Sequence, residues 1–142
     1  MKKLFAVILA LCLAMTICAC EKEKAVDPNA YVKVIFEDGS TENFNLDELP
    51  AMAKNDTATY NNKYARNKIE MATTVSLVEL DYEMLGFVRV SFEGGWICYI
   101  RKGTPVIDEI ERGTPVFVTA TLVLDPVNKV GTTLYGATIT VR

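Results

Sequence analysis

Two sets of residues in this chain have the chemistry to act on something outside it. The first is a thiol. Cys20 closes the run Ile17-Cys18-Ala19-Cys20, after a basic start at Lys2 and Lys3 and an apolar stretch from Leu4 to Ile17. A basic start, an apolar segment of that length and a small residue before the cut are the parts of a secretory signal. Cleavage after Ala19 would leave Cys20 as the first residue of the mature chain. Cys18 suits that role less, because bulky Ile17 precedes it, and Cys12 would leave with the signal. The second set is Phe87, Arg89 and Ser91 with Ile97, Tyr99 and Arg101, alternate positions in two β-prone runs. Aromatic rings interleaved with arginine suit stacking on sugars or bases, or cation–π contact with a partner.

Most other chemistry is excluded by what the chain lacks. It has no His, so no Ser-His-Asp set can form. Of its four Cys, three lie at or before position 20, which leaves the folded part with Cys98 alone and no internal disulfide. Zinc, copper and haem sites need clustered imidazoles or thiolates, so no metal or cofactor is expected. The two adjacent glycines, Gly94 and Gly95, stand between two strands and not between a strand and a helix, so they make no phosphate-binding loop. The sequence therefore points to no catalytic residues and no enzyme. The whole chain carries −3, and without Lys2 and Lys3 the remaining 13 basic and 18 acidic residues leave −5. Nucleic-acid affinity rests on phosphate neutralisation, so this balance disfavours a nucleic-acid partner.

The segment ending at Cys20 resembles the lipobox of bacterial lipoproteins, with an aliphatic residue three positions before the Cys and a small residue directly before it. The resemblance implies an extracytoplasmic protein held to the bacterial cell membrane by acyl chains on Cys20. Two or more chains suffice for stable anchoring. A retained transmembrane helix is the other reading, but a span needs about 20 apolar residues, and Glu21-Lys22-Glu23-Lys24 follows the Cys at once.

These sets need elements to position them. Residues 1–19 read as signal and 20–30 as lipidated Cys and polar tether, with a single domain over 31–142. Within it, 31–45 reads as a hairpin, 46–67 as helical and 68–142 as a barrel. Tyr31 to Phe36 and Thr41 to Phe44 flank Asp38-Gly39, a strong hairpin signal. Asn45 with Glu48 has the spacing of a helix start, and Pro50 suggests that only a short turn follows. A second helix is expected from near Asp56 to about Arg66, with Tyr60 and Tyr64 on one face. Strands follow at Ile69–Leu80, Phe87–Phe92, Trp96–Arg101, Val116–Leu124 and Thr133–Val141, with one helical turn from Val106. The pentapeptides Lys102–Val106 and Arg112–Val116 share Gly-Thr-Pro-Val. Each is expected to end one element and launch the next.

Five strands, the first long and bent, after a helix suggest a mainly β fold, a five-stranded OB-type barrel. The stretch from Tyr64 to Val75 resembles the entry to strand one in the tRNA-anti-like OB-fold family. Trp96-Ile97-Cys98-Tyr99-Ile100 and the run from Arg112 to Ala120 are similar to that family's third strand and fourth-strand entry. The resemblance covers about residues 56–142, departs at Thr73 or Thr74, where the family has Gly, and leaves out the N-terminal hairpin.

In OB-folds the outer face of strands two and three, framed by the loops after strands one and four, is the usual ligand surface. A three-residue loop Glu93-Gly94-Gly95 pairs Phe92 with Trp96. It turns Val88, Val90, Phe92, Trp96, Cys98 and Ile100 inward and leaves Phe87, Arg89, Ser91, Ile97, Tyr99 and Arg101 outside. The framing loops would be Asp81 to Gly86 and Asp125 to Thr132. The functional expectation is a non-catalytic binding module that recognises a protein or a cell-envelope glycan. The alternatives are a structural subunit or inhibitor of an envelope assembly, joined through the hairpin edge, and a single-stranded nucleic-acid binder.

Overall fold

The computed structural model describes residues 25–80, 86–123 and 132–142. The signal, Cys20 and the start of the tether lie outside these residues, as do Leu124 and most of the two framing loops. The rest of the tether ends in a turn: Ala30 N–H reaches Asp27 C=O at 3.0 Å, and the Asp27 side chain accepts from Asn29 N–H at 2.8 Å. Pro28 presets the backbone there.

The hairpin forms as its turn residues require. β1 (Tyr31–Ile35) and β2 (Thr41–Asn45) pair antiparallel. Between them Gly39 takes φ +83°, open to glycine without steric cost. Asp38 accepts from the Ser40 hydroxyl at 2.6 Å and its N–H at 2.9 Å. Those bonds favour the carboxylate and hold its pKa below the ordinary aspartate value. Val32 and Val34 face inward and are wholly buried, so the hairpin belongs to the core.

The helical segment differs from the sequence expectation in two ways. α1 runs from Glu48 to Asn55, straight through Pro50. Proline is tolerated there because first-turn N–H groups have no intrahelical partner to lose. The Glu48 carboxylate, in the first turn, reaches back to accept from Asn45 N–H at 2.8 Å, which ties the start of α1 to the end of β2. The second helix is two pieces, a short α2 (Thr57–Thr59) and a π turn (Tyr60–Tyr64). Asp56 caps it by accepting from Thr59 N–H at 3.2 Å, and Ala65 N–H bonds Tyr60 C=O five residues back. Both tyrosines are buried. Tyr60 Oη donates to Val123 C=O at 3.2 Å and Tyr64 Oη to Glu42 at 3.0 Å. The Tyr64 ring also packs edge-on against Phe44, with centroids 5.3 Å apart. The two rings thus tie the helical segment to barrel and hairpin respectively.

The fold is mainly β, with a closed barrel of five strands: β3 (Lys68–Glu79), β4 (Phe87–Phe92), β5 (Trp96–Arg101), β6 (Pro115–Leu122) and β7 (Thr132–Val141). Around the barrel the order is β3-β4-β5-β7-β6, and β6 returns to β3. One strand reaches so many partners because β3 is long and bulged. Its first half pairs with β6 on one edge and β1 on the other, and from Val75 onward it pairs with β4 through a register shift between Val75 and Leu77. A bulge bends the strand and increases its twist.

The pentapeptides act as expected. Gly103 and Gly113 both have positive φ, and Thr104 and Thr114 each bond back to the carbonyl three residues earlier. The first then opens α3 (Val106–Glu109) and the second opens β6.

Candidate functional site

The β4–β5 hairpin positions the candidate site, and its register follows from its loop. Phe92 pairs with Trp96, Val90 with Cys98 and Val88 with Ile100, around Glu93-Gly94-Gly95. All six of these paired residues are buried. Gly94 has φ +81°, and a Cβ there would lie 2.7 Å from the Leu46 carbonyl oxygen. That carbonyl accepts the indole N–H of wholly buried Trp96 at 2.7 Å. The loop is therefore clamped onto the segment between β2 and α1.

The outer face carries three cross-strand pairs: Phe87 with Arg101, Arg89 with Tyr99, and Ser91 with Ile97. The six residues share a face, but they are not equivalent. Ile97 is only 5% exposed. It sits mid-sheet between Ser91 of β4 and Thr133 of β7, where neighbours on both sides shield it, and it offers a ligand little surface. Arg89 faces Glu79 of β3 across the ladder, and their side chains form an ion pair at 3.1 Å. That pair holds much of its charge within the protein. Phe87, Ser91 and Tyr99 are half-buried and Arg101 is exposed.

Tyr99 and Arg101 also border a groove of about 420 Å³. Its other walls are Thr104, Pro105 and Val106 before and within α3, and Gly136 to Ile139 on β7. The groove exists because β5 and β7 separate. Their parallel ladder covers only Trp96–Cys98 against Thr132–Leu134. Just beyond it β7 carries a bulge: Thr119 pairs with Thr138 and Thr121 with Tyr135, so two β7 residues, Gly136 and Ala137, oppose Ala120 alone. Gly136 has φ +60°, the left-handed conformation that such a bulge takes most easily at glycine. The bulge bends β7 away from β5.

Sequence reasoning found Tyr99 and Arg101 and missed the opposite wall. The available signal was Gly136, since a glycine inside a strand pattern marks a bulge or a close approach. Tyr135, beside the bulge, is 74% exposed.

Cys98 lies on the inner face of the hairpin. Burial pushes its thiol pKa up to about 12, so the thiolate needed for nucleophilic or metal chemistry does not form near neutral pH. Among the described residues no three His, Cys, Asp or Glu gather as metal ligands, and no helix is long and apolar enough to cross a membrane. No family model, curated protein or solved structure matches the chain.

Proposed function

We propose that the protein is an extracytoplasmic lipoprotein, anchored through acylated Cys20, whose OB-like barrel is a non-catalytic binding module for a protein or glycan of the cell envelope. The observation that carries the binding half is the groove between β5 and β7, with Tyr99 and Arg101 on one wall. Pockets that hold ligands are concave and mostly apolar, with a few polar groups that fix orientation. This groove has that make-up: one arginine, one tyrosine and otherwise small or aliphatic walls. Arg142 Nη2 donates to Asn29 C=O at 3.2 Å, so the tether joins the domain beside the end of β7. From Cys20 to Asn29 an extended chain spans at most about 30 Å, which keeps the groove close to the membrane.

The assembly-subunit reading through the hairpin edge is weaker. β2 is short and polar, and Glu42 on it is held by Lys63 at 2.7 Å; short charged edges of this kind resist pairing. Single-stranded nucleic acid is disfavoured, because Glu79 answers Arg89 and the mature chain is acidic.

Two experiments test the proposal. Cys20→Ser should abolish metabolic acyl labelling, and persistent labelling would refute the anchor. Tyr99→Ala with Arg101→Ala should lower co-sedimentation with isolated envelope fractions and leave the fold intact by circular dichroism. Unchanged co-sedimentation removes this face as the site. Retention on oligonucleotides that falls steeply with salt would favour the nucleic-acid reading instead.

A further inference from the structure

We infer that the groove takes an extended peptide strand, with an acidic side chain set against Arg101, so that the partner completes the sheet between β5 and β7. This deepens the binding reading above and rests on it.

The backbone argument begins at the bulge. After Leu134, β7 is bonded on one side only. Arg142 N–H bonds Pro115 C=O, and Val116 faces Val141. In an antiparallel ladder, hydrogen-bonded and non-hydrogen-bonded pairs alternate. The N–H and C=O groups of Ile139 and Val141 therefore point away from β6, toward the side where β5 has separated. No strand among the described residues occupies that side.

Two of the usual protections are present, the Gly136 bulge and the neighbouring α3, and the others are absent. From Tyr135 to Val141 it carries no charge and no proline, and it is rich in threonine and branched residues. An edge of that kind is a template for another strand, and strand addition is a common mode of peptide recognition. Tyr99–Arg101 and Gly136–Ile139 flank the groove for three or four residues, roughly 10–13 Å at the rise of extended chain.

The chemistry of the occupant follows from Arg101. It is the only charged residue lining the groove, it is exposed, and it makes no ion pair among the described residues. The net negative charge of the mature domain works against an acidic partner at long range. Screening limits such repulsion to about 8 Å at physiological ionic strength, so at contact the local guanidinium decides.

The test uses the full chain in detergent and two fluorescent octapeptides. Each alternates valine and threonine; one carries a central aspartate and the other a central lysine. The aspartate peptide should bind about tenfold more tightly than the lysine peptide, and Arg101→Glu should reverse that order. Val141→Pro, which removes one outward N–H and no bond to β6, should weaken both peptides alike. Three results overturn the inference: neither peptide binds, the preference survives Arg101→Glu, or the chain dimerises through this edge and Val141→Pro abolishes the dimer. If the peptides fail while Tyr99→Ala still lowers binding to envelope fractions, strand addition is wrong and the face remains the site. If both fail, the site itself is refuted.

Discussion

The two faces of the β4–β5 hairpin share one backbone and do opposite work. The inner face places Val88, Val90, Phe92, Trp96, Cys98 and Ile100 in the core, each almost wholly buried. The outer face runs from buried Ile97 through half-buried Tyr99 to exposed Arg101, and at that end it meets a groove instead of a neighbouring strand. The contrast teaches that the outer face is graded along the strand. Where β7 still pairs with β5, the outer residue is sheltered; beyond that pairing, beside the Gly136 bulge, side chains line an open groove.

Substitutions should separate the faces by size of effect. Trp96→Ala empties the largest buried site and strands the Leu46 carbonyl, and should cost about 3–5 kcal/mol in chemical denaturation. Trp96→Phe keeps most of the packing and loses only the donor, for about 1–3 kcal/mol.

The loop gives the next contrast. Gly94→Ala must move the Leu46 backbone as well as strain its own φ, and should cost about 2–3 kcal/mol. Gly95→Ala meets nothing nearer than the Pro50 side chain at 3.8 Å and should cost only the left-handed strain, about 1–2 kcal/mol. Equal losses at the two positions would contradict the clamp.

A separate effect should appear with pH. The Cys98 thiol has its pKa raised from 9.0 to about 12 by burial. Its contribution is fully present below the unfolded pKa and is lost as pH rises from about 9 through 12, because the unfolded thiol ionises first. The denaturation midpoint of the wild type should therefore fall faster over that range than that of Cys98→Ala. Parallel curves would mean that the thiol is not buried as described.

Much of this was legible in the sequence, and the reason differs by element. The hairpin register could be read because period-two burial and a three-residue glycine loop agree on one answer. The helix through Pro50 was not, because whether proline breaks or opens a helix depends on where the first turn begins. The π turn was also hidden: Tyr60 and Tyr64 have the same spacing in either helix type. The pentapeptides show the limit most plainly. Lys102–Val106 and Arg112–Val116 make the same local turn, yet one leads to α3 and the other to β6. The second is drawn into the sheet because Thr114 C=O accepts Val75 N–H at 2.9 Å and Gly113 N–H donates to Val75 C=O at 2.8 Å. That choice is made by β3, far away in the chain. The groove was half legible for the same reason. Tyr99 and Arg101 follow from alternation, whereas the opposite wall depends on how a bulge in β7 changes its distance from β5.

The exposed end of the outer face should show the smallest effect on stability and the largest on binding. Exposed Arg101→Ala removes little buried surface and should shift stability by about 0.5 kcal/mol or less, and half-buried Tyr99→Ala should cost about 1–2 kcal/mol. The most direct test of the binding site is photo-cross-linking in intact cells, with a benzophenone amino acid placed at Tyr99, at Arg101, or at exposed Thr119 on β6. The account predicts a discrete adduct from the first two positions and none from Thr119. Adducts from all three, or from none, would contradict it.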